Sequence, residues 1–278
     1  MTLDEVIARV PSWHGARTVQ VTPLAGGITN ENHRVGVDGQ AFVVRIGGRH
    51  TGLWASIGRV SGRLRGRPSS RGSAPRSCSA CRRPGVLVTR WVAGRILEPL
   101  DAARPDVLPR AAAALGRVHA GPPAAGHVSA FRSAEAYREV ASQHGVALPP
   151  DLERWLALGR RIEGMLPPAT PVLCHNDLLP GNLIDDGVRI RMRFDLGNPA
   201  AHAELEAEAE RRLLAAYFAE GAPPDALRRL RLMRVASVLR KAIWALVQVG
   251  ISGLTFDFGA YAARYLARVA AGTAALAI

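Results

Sequence analysis

Residues 175–182 read His-Asn-Asp-Leu-Leu-Pro-Gly-Asn: a histidine, an aspartate two places on, and an asparagine five places after that. An Asp and an Asn at this spacing on a tight loop suit phosphoryl transfer. That reaction asks little covalent chemistry of a protein. It needs a carboxylate to orient the attacking hydroxyl and metal ions to hold the phosphates. Asp177 would face the substrate hydroxyl. Asn182 would offer its carbonyl oxygen to Mg²⁺, a hard cation that prefers oxygen ligands. His175 would brace the loop through hydrogen bonds. A polar turn ahead of a hairpin would need the same residue types, so the flanks decide. Residues 171–174 (PVLC) read as a strand before the loop, and NLIDDG reads as a hairpin after it, which gives the loop a rigid mount.

The elements that must carry this loop follow from periodicity. Residues 3–10 read as a short amphipathic helix, 19–24 as a strand, and 33–37 as a second strand after the Gly26-Gly27 turn. Asp38-Gly39 is a hairpin turn, and 41–46 (AFVVRI) is a third strand, rich in β-branched and aromatic residues. A further strand begins at Val86 in VLVTRWV. The rest is mainly helical: 106–119, 133–143, 151–166 with Asp151 as its cap, then 202–219, 223–249 and 257–271. A small β-rich part followed by a larger helical part is an α+β, two-lobed plan. The expected division is a small β-rich lobe at 1–92 and a helical lobe at 93–278 that carries the His175–Asn182 loop.

Between 50 and 85 the chain is Gly, Arg, Ser and Pro with no acidic residue and no usable apolar period. With little apolar surface to offset backbone entropy, this stretch is expected to be irregular. It also skews the charge. The chain has a formal net charge of +13, and the eight arginines from Arg59 to Arg83 supply +8 of it. Lys241 is the only lysine. A local Arg excess of this kind argues against a basic face built for nucleic acid. Cys78 and Cys81 form one CxxC, but zinc needs four ligands and no second pair exists. Three cysteines indicate no disulfide framework. Asp4 and Glu5 stand where a secretory signal would carry basic residues, and no apolar run is long enough to span a bilayer. The expectation is a cytoplasmic protein with no membrane association.

HNDLLPGNLIDDG resembles the catalytic loop of bacterial choline and ethanolamine kinase-like proteins and their aminoglycoside phosphotransferase cousins. LAGGITNENHRV resembles that family's Gly-rich nucleotide loop, FVVRI the strand with its phosphate-contacting cation, and VLVTRWVAGR its hinge strand. LGRVHAGP, FRSAEAYREV, FDLGN and RKAIWALVQVGIS also have counterparts in order, so the similarity covers most of the chain. The resemblance implies a protein-kinase-like fold and an enzyme that uses ATP and Mg²⁺ to phosphorylate a small hydroxyl compound: choline, ethanolamine or an aminoglycoside. It implies that Gly26, Gly27, Thr29 and Asn30 cover the ATP phosphates and that Arg45 replaces the family's lysine, a substitution adequate for a phosphate cation though less adjustable. Trp244 and Gln248, one helical turn apart, would line the acceptor pocket, where a Trp face suits a quaternary ammonium. Trp244 also fits ordinary core packing.

Two departures stand out. The family's small lobe carries a helix whose Glu pairs with the phosphate cation, yet residues 51–85 contain no Glu or Asp. An interval of suitable length and unsuitable composition is what a locally shifted reading frame would give. The second departure is the metal carboxylate. Asp195, in Phe194-Asp195-Leu196-Gly197, falls about where that ligand is expected. In the other reading FDLGN is the family's next motif and the metal motif is deleted near 192; the continuation NPAAHAELEAEAERRLLAAYF favours this deletion. Asp257-Phe258-Gly259 lies too far past Asp177 to serve. The implied alternatives are an impaired phosphotransferase and a non-catalytic relative that binds a ligand or partner.

Overall fold

A computed structural model of the chain describes residues 2–24, 30–47, 85–98, 100–101, 104–122, 129–168, 170, 172–174, 180–192 and 205–278. The stretch at 50–85 therefore lies outside the described residues, apart from Gly85.

Helix α1 (Leu3–Ile7) opens on a capping box. Glu5 N–H donates to Thr2 Oγ1, and the Thr2 N–H donates to the Glu5 carboxylate. Four strands follow in an antiparallel sheet of order β1-β2-β3-β4: β1 (Val19–Leu24), β2 (Asn30–Val37), β3 (Gln40–Gly47) and β4 (Val86–Arg90). Asp38 and Gly39 join β2 to β3 with φ of 46° and 80°, the double positive φ that a two-residue hairpin turn requires. Asp38 Oδ1 holds the turn to the chain entering β1 by accepting from the N–H groups of Arg17 and Thr18, both at 3.0 Å. Strand alternation sends Val35, Val37, Phe42, Val44, Ile46 and Val88 to one side, where Val6, Val10 and Trp13 cover them. Trp13 meets Phe42 at a ring separation of 5.1 Å. The opposite face carries Asn30, Asn32, Arg34 and Arg45 together with Val43 and Leu87.

A second, three-stranded antiparallel sheet has the order β5-β6-β7, with β5 (Arg95–Ile96), β6 (Leu183–Asp185) and β7 (Ile190–Met192). Gly94, at φ +150°, allows β5 to reach β6. A Cβ there would lie 2.6 Å from the Asp185 carbonyl oxygen, so no side chain fits. Helix α2 (Leu108–His119) packs on this sheet through Ala114 and Val118 against Leu183 and Ile190.

The remaining helices are α3 (Ala130–Gln143), α4 (Leu152–Gly164), α5 (Ala207–Tyr217), α6 (Ala226–Ile251) and α7 (Phe258–Leu276). Helix α6 is their centre. It is buried without a break from Val235 to Ile243 and shares a core with Tyr137 of α3, Leu156 of α4 and Tyr265 of α7. Glycines set the distances: Gly159 meets Leu239, and Gly272 meets Val235. The two-part α+β plan agrees with the sequence. Of the strand expected at 171–174, residues 172–174 pair with no strand among the described residues. Asp151 occupies the N-cap position of α4 but its side chain accepts no bond there, since its φ and ψ of −78° and 3° are not the extended pair of a capping residue.

Candidate active site

Arg45 and Asn30 lie at one end of the first sheet. Within β3, Phe42, Val44 and Ile46 point into the core, so Arg45 points to the other face. Its cross-strand partner is Asn32, and Asn30 pairs with Gly47 at the end of the same ladder. Directly opposite residues project to the same side. Asn30, Asn32 and Arg45 thus form a polar strip on the face away from α1. Gly26, Gly27 and Thr29, in the turn between β1 and β2, lie outside the described residues.

His175, Asp177 and Asp195 also lie outside them, but their mounts are described. Residues Pro180–Asn182 make a 3-10 turn that feeds directly into β6. Leu183, just after Asn182, pairs with Met192 at the end of β7. The chain leaving β7 therefore departs beside Asn182. Asp195 follows Met192 by three residues in the sequence.

Ion pairs pin this hairpin to its surroundings. Arg110 of α2 donates to both oxygens of Asp185, at 2.5 and 2.9 Å, and its Nε donates to the Asp106 carbonyl. Such a two-point guanidinium–carboxylate pair fixes orientation as well as distance. Asp185 faces Arg95 across the β5–β6 ladder, and Arg95 is itself held by Asp101 at 2.5 and 3.0 Å. Asp186 closes the β6–β7 turn by accepting from the N–H groups of Arg189 and Val188 and from Arg191 Nε. Donors this close hold the carboxyls in the charged form. Asp186 is pulled down to about 2, chiefly by the Arg189 N–H and then by Arg191. Asp101 is also lowered to about 2, chiefly by Arg95, and Asp185 falls below the usual range, chiefly through Arg110.

Behind the loop, His119 at the end of α2 meets Tyr217 at the end of α5. His119 Nδ1 and the Tyr217 hydroxyl lie 2.6 Å apart, a hydrogen bond that ties the two helices. Burial lowers the His119 pKa, keeping the ring neutral at physiological pH. Burial also raises the Cys174 thiol, which immediately precedes His175. Tyr217 is raised by burial and by its nearness to Cys174.

Trp244 and Gln248 share one face of α6. The Trp244 ring meets Phe258 at 5.7 Å and Tyr261 at 6.2 Å, both edge-on, within an aromatic group that includes Phe256 and Tyr265. Gln248 is 3 % exposed, and its Nε2 has no hydrogen-bond partner among the described residues. Among the described residues no three His, Cys, Asp or Glu come together to hold a metal. Nor is any described helix long and apolar enough to cross a membrane. Arg110, Asp185, His119 and Tyr217 were not singled out from sequence. His119 and Asp185 stand within motifs recognised there, but Arg110 and Tyr217 are joined to them only by the fold, 75 and 98 residues apart.

The same architecture recurs in solved structures. A choline/ethanolamine kinase family protein from Mesorhizobium loti is 26 % identical, with a TM-score of 0.71 over 98 % of this chain and 95 % of that one. Choline kinase LicA from Streptococcus pneumoniae superposes with a TM-score of 0.76 at 14 % identity, over 96 % of this chain and 98 % of the other. A GDP and kanamycin complex of APH(2")-IIia gives 0.63 at 17 %, over 97 % and 98 %. No curated protein matches the chain. The model of the phosphotransferase enzyme family matches residues 20–198, well over half of the sequence. That span runs from β1 through the polar strip of the first sheet to the clamped hairpin and the chain just beyond it, and the protein belongs to the phosphotransferase enzyme family.

Proposed function

We propose that this chain is an ATP- and Mg²⁺-dependent phosphotransferase that moves the γ-phosphoryl group to the hydroxyl of a small molecule. One observation carries the reading. Asn182 sits at the mouth of a hairpin clamped to α2 and β5, within the span that the phosphotransferase enzyme family model matches. The donor chemistry fits Mg²⁺, since Asn182 and Asp195 both offer oxygen. Arg45 and Asn30 on the polar strip, with Gly26, Gly27 and Thr29 in the preceding turn, would take the phosphates. Bound Mg²⁺ would neutralise charge on the phosphates. Asp177 would orient the acceptor hydroxyl and receive its proton, while His175 would brace the loop. The lobes would divide at about residue 92, with the nucleotide held between them. The acceptor would be choline, ethanolamine or an aminoglycoside-like alcohol, bound near Trp244 and Gln248.

Mg·ATP should raise the melting temperature of the purified chain. Ligand at one hundred times Kd corresponds to about 2.7 kcal/mol. Asp177→Asn should keep that stabilisation while turnover with an acceptor falls by roughly a hundred-fold or more. A chain indifferent to Mg·ATP would overturn the assignment. Residues 51–85, without Asp or Glu, favour a second reading, a relative that binds nucleotide without turnover. Stabilisation by Mg·ATP with no acceptor phosphorylated would select it.

A further inference from the structure

Away from the clamped hairpin, helices α5, α6 and α7 enclose a cavity of about 190 Å³. That is room for roughly six waters at ~30 Å³ each. On one wall Glu210 of α5 is 2 % exposed and lies between two arginines of α6. Arg231 Nε donates to one carboxylate oxygen at 2.8 Å, and Arg234 Nη1 donates to the other at 2.5 Å. Two guanidiniums to one carboxylate leave one positive charge at the cavity.

The donors are not used up. Each guanidinium carries about five N–H donors and no acceptor. Among the described residues, Arg231 donates only to Glu210, and Arg234 only to Glu210 and the Leu205 carbonyl. Both arginines line the cavity and are about ten times more exposed than Glu210, with side chains at 31 % and 29 % against 3 %. A ligand can therefore reach the arginines, while the carboxylate that would repel it is withdrawn. Helix α5 begins at the same rim, with Ala207 in the lining, and its first turn already carries Glu208 and Glu210, so the attraction for an anion rests on the two guanidiniums. Val235 and Leu276 supply apolar wall. None of these residues belongs to the phosphotransfer site proposed above. Trp244 lies ten residues beyond Arg234 on α6, about 15 Å along the axis.

We infer that the cavity between α5, α6 and α7 is a binding site for a small monoanion, with a carboxylate or phosphate head held by Arg231 and Arg234 and a short apolar body against Val235 and Leu276. Glu210 fixes the two guanidiniums beforehand, so binding need not order them. The site stands whether or not the chain transfers phosphate.

The test is calorimetric titration of the full chain, at constant ionic strength, with butyrate, inorganic phosphate and the neutral isostere butyramide. Butyrate or phosphate should bind saturably at one site and butyramide should not. The preferred anion identifies the head group. Arg231→Gln removes the surplus charge but leaves Arg234 paired with Glu210, so the fold should survive; affinity should fall at least ten-fold. Ala275→Phe fills the cavity without touching charge and should have the same effect. Absence of saturable binding by the folded chain overturns the site. So does binding that survives both substitutions and follows only ionic strength, because that is the general attraction of a +13 chain for anions.

Discussion

Arg110 and Asp185 show how much can rest on one pair. The Asp185 side chain is only 13 % exposed, so removing the guanidinium would leave a mostly buried carboxylate without its main partner. Arg110→Ala should cost about 1–3 kcal/mol, read from denaturant midpoints. The pH dependence has a definite sign. Folded-state pKa values of Asp101, Asp185 and Asp186 lie below their ordinary values. Their contribution is therefore complete above the unfolded value near 4 and is lost as pH falls toward about 2, where Asp101 and Asp186 titrate in the fold. Unfolding midpoints should fall through that window and be insensitive to these three groups from pH 5 to 8. In Arg110→Ala the Asp185 share of the acid loss should shrink, since its pKa returns toward the ordinary one. An identical acid profile for both proteins would contradict the assignment of Arg110 as the cause.

Elements were legible where their signal is local. Strand β1 and the Asp38-Gly39 turn declare themselves through alternation and through residues that tolerate positive φ. The long helix α6 was legible as a helix, yet its burial was not. Its central stretch carries Arg240 and Lys241 inside, and no periodic polar face marks which side meets solvent. Strand β5 is two residues long and exists because β6 is beside it, a fact that belongs to residues nearly 90 positions away. Residues 172–174 fail for the converse reason: they have strand composition without a neighbour. At the candidate site, spacing suggests the histidine, aspartate and asparagine, of which Asn182 lies among the described residues. The arginine and tyrosine that support their mount were not readable from it, because only tertiary contacts give them a role. Capping shows the same limit. Ser129, at φ −114° and ψ 129°, accepts from the Arg132 N–H at the start of α3, whereas Asp151 caps nothing. Ser129→Ala should cost about 0.5–1 kcal/mol and Asp151→Ala only a few tenths. Equal losses in chemical denaturation would show that Asp151 caps its helix in solution.

At the scale of the molecule, the proposed function would have the two sheets divide the work that a triphosphate demands. The first would offer Arg45 and Asn30 on the face away from α1, and the second would carry Asn182 at the mouth of its hairpin. Each half alone leaves charge unmatched, so metal and nucleotide binding should be coupled. Asp195 is where that coupling meets the sequence's own ambiguity. If a deletion near 192 had drawn a later motif forward, the residue would have no reason to approach Asn182. Both readings leave Leu183 opposite Met192 and three residues from there to Asp195, so the bound ion has to discriminate between them. Two ligands of one Mg²⁺, at about 2.1 Å each, must bring their oxygens within ~4.2 Å of one another. A chain of that length can do so without unpairing the hairpin. Asp195→Ala should therefore abolish the extra thermal stabilisation that Mg²⁺ adds to ATP, measured as the difference between ATP with Mg²⁺ and ATP with a chelator. Stability without ligand should change little. The Asn182→Ala variant should lose the same increment, and the double variant should lose no more than either, since one ion is shared. An undiminished Mg²⁺ increment in Asp195→Ala, alongside its loss in Asn182→Ala, would return the deletion reading to favour and leave Asn182 with a different partner.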